Sequence, residues 1–218
     1  MPNLMMHIEK FECNMFQENC YIVSDETKEC VIIDCGAFYP EERSAIVDYI
    51  RSHGLTPKHL ICTHAHIDHN FGNNTISDNF QLKPEVSRKD EVLMDSLAAQ
   101  AQAFIGMEYK EYVPAVGNFF YEKQVIRFGS HQFSIIPTPG HTPGSVMFYC
   151  EEEKVVFSGD TLFHMSIGRT DFQFGSYPDI VASLRKVVSL LPPDTVVLPG
   201  HGEKTEIGFE KMHNPFIN

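Results

Sequence analysis

Four apolar runs in this chain of 218 residues end alike. Leu60-Ile61-Cys62 leads into Thr63-His64-Ala65-His66-Ile67-Asp68-His69. Phe133-Ser134-Ile135-Ile136 is followed by Pro139-Gly140-His141, and Lys154-Val155-Val156-Phe157 by Ser158-Gly159-Asp160. Thr195-Val196-Val197-Leu198 ends at Pro199-Gly200-His201. Short apolar runs bounded by turn residues read as buried strands. Strand ends from such distant positions converge only if the fold gathers them at one rim. His64 and His66 are two apart, so an extended segment projects them to the same side. The rim would carry seven potential ligands: His64, His66, Asp68, His69, His141, Asp160 and His201. Neutral imidazole and carboxylate suit zinc, and also iron or manganese. One zinc takes about four ligands, so seven and a water fill two divalent sites if one carboxylate bridges.

The other elements frame this rim. Strands are expected at His7 to Phe11, Cys20 to Val23 and Cys30 to Ile33, with turns between them. Pro40, Glu41 and Glu42 open a helix with Ile46, Tyr49 and Ile50 on one face, and Gly54 closes it. A second helix is expected over residues 89–105, striped by Leu93, Leu97, Ala101 and Phe104. Val146 to Tyr149 and Lys154 to Phe157 read as a hairpin. Ser176, Pro178 and Asp179 start a last helix that Pro192-Pro193 stops. Strands first, then strands and helices mixed, favour an α/β fold with two sheets and helices outside, a four-layer αββα sandwich. A single domain over residues 1–218 is expected. The aromatic stretch from Gly106 to Lys123 has weak periodicity. It reads either as an anchored surface loop or as a wall of a substrate cleft, with Phe119 and Tyr121 as contacts.

Charge narrows the partners. The formal net charge is -12, without a Lys/Arg cluster, which weighs against nucleic acid and anionic membrane surfaces. The first ten residues lack the apolar core of a signal peptide, and no stretch approaches the ~20 apolar residues of a membrane span. Six scattered cysteines without a CxxC pair read as free thiols, so the cytoplasm is the expected compartment. The remaining partner class is a small-molecule substrate. The sequence does not fix an oligomeric state.

The chain resembles the metallo-β-lactamase superfamily, in its short glyoxalase II-like (hydroxyacylglutathione hydrolase-like) branch. The resemblance runs from Asn19-Cys20-Tyr21 and Ile33-Asp34 to His201. It is carried by Thr63-His64-Ala65-His66-Ile67-Asp68-His69, Gly140-His141-Thr142-Pro143-Gly144-Ser145, Gly159-Asp160-Thr161-Leu162-Phe163 and Pro199-Gly200-His201-Gly202. It implies His64, His66 and His141 on a first metal, and Asp68, His69 and His201 on a second. Asp160 would bridge, Asp68 and Asp160 would serve catalysis, and Asp34 would brace the ligand loop. Classical glyoxalase II has a further helical domain that grips glutathione; 17 residues follow His201 here, so that domain is not expected. Gly168-Arg169-Thr170-Asp171 matches the short members and the persulfide dioxygenases.

The implied reaction is hydrolysis of a thioester such as S-2-hydroxyacylglutathione, by hydroxide generated between two divalent ions, zinc first. A thiolate leaves without protonation, so no dedicated acid is needed. The alternatives are a persulfide dioxygenase with one iron, or a lactonase. Arg169 would clamp a substrate carboxylate, or more plainly pair with Asp171. His7, His53, His59, His131 and His213 match no motif, and His164 reads as a loop residue near the rim.

Overall fold

The computed structural model describes residues 5–121 and 124–217. The strands and helices run in the order β1 (His7–Cys13), β2 (Glu18–Ser24), β3 (Glu29–Ile33), α1 (Pro40–Ser52), β4 (Thr56–Ile61), α2 (Asn73–Phe80) and β5 (Pro84–Ser87). There follow α3 (Glu91–Asp95), α4 (Leu97–Ile105), β6 (Asn118–Phe120), β7 (Val125–Phe128), β8 (His131–Pro137), β9 (Val146–Cys150) and β10 (Val155–Gly159). The chain closes with β11 (Leu162–Phe163), β12 (Ser166–Ile167), α5 (Tyr177–Leu190), β13 (Val196–Pro199), β14 (Thr205–Glu206) and α6 (Ile207–His213).

Two sheets of six strands form, in the orders β1-β2-β3-β4-β5-β6 and β14-β13-β10-β9-β8-β7. Side-chain alternation explains why they stack. In β2 and β3, Tyr21, Val23, Val31 and Ile33 face Phe133, Phe148 and Phe157 of the other sheet. Ile22 and Ile32, one residue out of step, face Ile46 and Ile50 of α1 and Ile76 of α2. The second sheet turns Met147, Val156 and Val197 outward against Ile180, Leu184 and Val187 of α5. Each of those helical side chains is fully buried, worth roughly 1.5–3 kcal/mol apiece. The result is the four-layer αββα sandwich. No helix among the described residues is long and apolar enough to cross a membrane.

One expectation changes and another is narrowed. The helix over 89–105 is interrupted at Ser96. The Leu93 carbonyl accepts from Ser96 N, Ser96 Oγ and Gln100 Nε2, at 3.1, 3.0 and 2.9 Å, in place of a continuing helical bond. The stretch from Gly106 to Lys123, whose residues 122 and 123 lie outside the described ones, follows the plainer of its two readings. Tyr109 donates to Phe71 O at 3.2 Å and Glu111 pairs with Arg43, anchoring it over α1 and α2. Residues 118–120 add an edge strand, β6, parallel to β5.

Candidate metal centre

The site lies where β3 and β4 of one sheet and β8, β10 and β13 of the other end. After β4 the chain passes His64 and His66 and turns through a single 3-10 turn, Ile67–His69. A loop so buried must satisfy its own polar backbone. Ala65 N donates to Asp90 Oδ2 at 3.0 Å and Ile67 N to Gln100 Oε1 at 3.0 Å. Asn70 Nδ2 donates to His66 O at 2.6 Å. Asp34, left-handed at φ 51°, accepts from Thr63 N and Thr63 Oγ1 at 2.7 Å each, and from His69 Nδ1 at 3.0 Å. Asp90 also holds Thr142 Oγ1 at 2.7 Å and Gly144 N at 2.6 Å, so one carboxylate joins the two histidine loops. Asn19 Nδ2 and the Tyr21 hydroxyl donate to Pro199 O, fixing the His201 turn.

Seven side chains converge. Donor atoms of His64, His66 and His141 lie within 4.8 Å of one another, as do those of Asp68, His69 and His201. His66 Nδ1 and His141 Nε2 approach to 2.8 Å, and His69 Nε2 and His201 Nε2 to 3.2 Å. Asp160 stands between the groups. Its Oδ2 is 3.5 Å from His141 Nε2 and 3.6 Å from His201 Nε2, and its Oδ1 is 3.3 Å from His69 Nε2. Gly200 makes room for this, since a Cβ there would meet Asp160 Oδ1 at 2.3 Å.

The donor set fits divalent cations. His64 Nε2 and Asp160 Oδ1 are buried without a hydrogen-bond partner. The outer nitrogens are spoken for: His64 Nδ1 by Thr63 Oγ1 at 3.0 Å, His69 Nδ1 by Asp34, His141 Nδ1 by Arg169 O at 2.7 Å and His201 Nδ1 by Phe16 O at 2.9 Å. A proton on each outer nitrogen leaves the inner lone pair free to ligate. Burial, with the neighbouring His69 and His141, holds His64 well below the usual histidine range. Burial and His141 push His66 down to about 3. Burial opposes ionisation of Asp160, yet His69 and His201 outweigh it and hold the carboxyl well below its ordinary value. Asp68 is lowered too, against burial, by His69 and His201. His69 goes the other way: despite burial, Asp160 and Asp68 raise it, so a cation at its group displaces a proton.

A family model described as the metallo-beta-lactamase superfamily matches residues 13–201. The chain belongs to that superfamily. Among similar proteins, "Hydroxyacylglutathione hydrolase GloC" of Haemophilus influenzae is 36% identical, covering 98% of this chain and 99% of its own. A crystal structure of BLEG-1 B3 metallo-beta-lactamase superposes with a TM-score of 0.87 at 33% identity, over 97% of this chain and 100% of that one. TTHA1623, solved in a di-iron-bound form, gives 0.84 at 33%, over 95% and 99%.

In this metallo-β-lactamase-fold protein a cleft of about 480 Å³ opens over five of the seven side chains, His66, Asp68, His141, Asp160 and His201, with His64 and His69 buried behind them. Its walls are Phe16, Phe104, Phe163, Ile167 and Phe172. Arg169 is at the cleft, but its Nε and Nη2 donate to Asp171 at 2.9 and 2.8 Å, and its guanidinium lies over the Phe172 ring at 4.1 Å. Phe119 and Tyr121 are not in this cleft, contrary to expectation. The Phe119 ring lies under Arg88 at 4.0 Å, and Tyr121 is 69% exposed at a separate groove, because β6 carries Phe119 along the sheet edge and Tyr121 directly follows it. His164 stacks on Phe209 at 5.1 Å, outside the cleft lining. Sequence reasoning passed over Asp90, Gln100, Glu18 and the wall phenylalanines. Glu18 is fully buried, its Oε2 accepting from Gly36 N at 3.1 Å and its Oε1 lying 3.8 Å from His69 Nδ1. In the sequence Glu18 reads as a turn residue before the strand at Cys20, and only the fold buries it as the first residue of β2.

Proposed function

We propose that the protein is a metal-dependent thioester hydrolase acting on small 2-hydroxyacyl thioesters such as S-2-hydroxyacylglutathione. The carrying observation is two three-donor groups on either side of Asp160 at the floor of one cleft. His64, His66 and His141 would hold one divalent ion, Asp68, His69 and His201 the other, and Asp160 both. Two such ions supply Lewis acidity and a water of near-neutral pKa. The chain keeps His64 and His66 neutral and Asp160 ionised, and directs His64, His69, His141 and His201 through their outer nitrogens. Zinc suits these donors, as does iron. The second group favours a two-ion reading over a mononuclear dioxygenase.

Leaving-group chemistry supports a thioester. Among the described lining residues every polar side chain except Arg169 belongs to the ligand set. An amide nitrogen needs a proton to depart, whereas a thiolate does not. The name of the Haemophilus relative supports the same substrate class. Arg169 is the one cation among the described lining residues, and Asp171 already pairs with it. The cleft therefore grips the carboxylates of glutathione weakly. For one acyl group on glutathione, on coenzyme A and on a simple alkyl thiol, kcat/KM is expected to spread over no more than about two orders of magnitude. A larger glutathione preference contradicts weak thiol recognition, and no turnover by zinc-loaded protein removes the proposed function.

A further inference from the structure

The apolar surface of the cleft is unevenly placed. Phe104 and Phe172 stand together at 5.0 Å between ring centroids, and both present rings to the edge of His66, at 6.1 and 5.5 Å. Behind them lies a second cavity of about 250 Å³, which shares His66, Ala103, Phe104 and Phe172 with the main cleft and continues to Leu93 and Ala99. Besides His66 its wall carries three polar side chains, of which Gln173 is exposed and the other two are already engaged. Gln100 bonds Ala65 O, Leu93 O and Ile67 N, and Ser96 Oγ bonds Leu93 O. The cavity therefore offers a substrate mainly apolar and aromatic contact. It shares His66 with the first ligand group, so the acyl side chain of a thioester held at that group would reach it. A lactoyl methyl group would leave it largely unused.

We infer that the Phe104–Phe172 pair and the side cavity behind it form an acyl subsite for an aryl group, making aryl 2-hydroxyacyl thioesters better substrates than lactoyl ones. This rests on the thioester hydrolase reading. The reaction is S-mandeloyl thioester and water giving mandelate, the free thiol and one proton. The acyl carbon–sulfur bond breaks as the carbon–oxygen bond forms. A phenyl ring packed against this aromatic pair gains edge and offset contacts beyond its buried area. A preference of roughly tenfold over methyl is the expected scale.

The test is calorimetric titration of zinc-loaded protein with mandelate and with lactate, beside kcat/KM for S-mandeloyl- and S-lactoylglutathione. Mandelate is expected to bind about tenfold tighter, with kcat/KM favouring the mandeloyl ester by a similar factor. Phe104→Ala should bring both ratios to within about twofold, while Phe104→Tyr, which keeps the ring, retains them. Phe104 is partly exposed near the end of α4, and Phe104→Leu serves if the alanine variant misfolds. Equal affinity for the two acids, or ratios untouched by loss of the ring, overturns the subsite. A mandelate preference that depends on Phe104, without thioester turnover, keeps the subsite and removes the hydrolase reading. Turnover without any aryl preference does the reverse.

Discussion

Asp90 shows how much a single side chain carries here. It is fully buried, and its two oxygens take three donors from two loops: Ala65 N, Thr142 Oγ1 and Gly144 N. Asp90→Ala would strand those donors out of water, at a cost on the order of 3 kcal/mol. It would also let the His64–His66 and His141 loops drift. Loss of such a brace usually weakens metal affinity about 10–100-fold. Chemical denaturation and competition with a chelator check the two effects. Unchanged metal affinity would mean that Asp90 serves stability alone. The seven candidate ligands were legible in the sequence because His64, His141, Asp160 and His201 each follow an apolar run, and His66, Asp68 and His69 crowd the loop after His64. Asp90 was not, because an acid near the start of a helical stretch ordinarily reads as a helix-start residue. Its partners become visible only once residues 25 and 52 positions away are folded against it.

Among the elements, the short hairpin β11–β12 positions Phe163 and Ile167 in the cleft wall, yet it has only two cross-strand pairs of its own. Helix α6 supplies the rest. The buried Glu210 accepts from Met165 N at 3.2 and 3.0 Å, from Thr205 Oγ1 at 2.6 Å and from Asn214 Nδ2 at 2.7 Å, and Asn214 reaches Ser166 O at 3.1 Å. Glu210→Ala is expected to cost about 2–3 kcal/mol, lowering the melting temperature by roughly 5–10 °C. KM should rise more than kcat falls, since the hairpin shapes a wall and holds no ligand. A kcat loss at constant KM would contradict this placement. The long strands and α5 were readable from period and caps, as with Ser176 Oγ accepting from Asp179 N. Strands β5 and β6 were not, because four and three residues carry too little periodicity and pairing alone defines them. The break at Ser96 escaped notice because the stripe of Leu93, Leu97 and Ala101 stays in phase across it.

At the scale of the molecule, the two sheets are also tied away from the metal rim. Asp25, in the β2–β3 turn, accepts from Ser130 N at 2.7 Å, Ser130 Oγ at 2.8 Å and His131 Nδ1 at 3.0 Å at the β7–β8 turn. Burial opposes its ionisation, but Thr27, Ser130 and His131 outweigh it and hold the carboxyl well below the usual range. A folded-state pKa below the unfolded value of about 3.9 stabilises the fold above that pH, and the contribution is lost as pH falls toward the folded value. The denaturation midpoint of Asp25→Asn should thus lie well below that of the wild type at pH 7, the gap closing below about pH 4. A gap constant from pH 7 to pH 3 would place the effect in packing instead. The rim itself is tested most directly by adding zinc to metal-stripped protein while following hydrolysis of S-lactoylglutathione. Two donor groups joined by Asp160 predict a rate that climbs until two equivalents are bound and then levels. A plateau at one equivalent, or no hydrolysis at any loading, would contradict a two-ion thioester hydrolase.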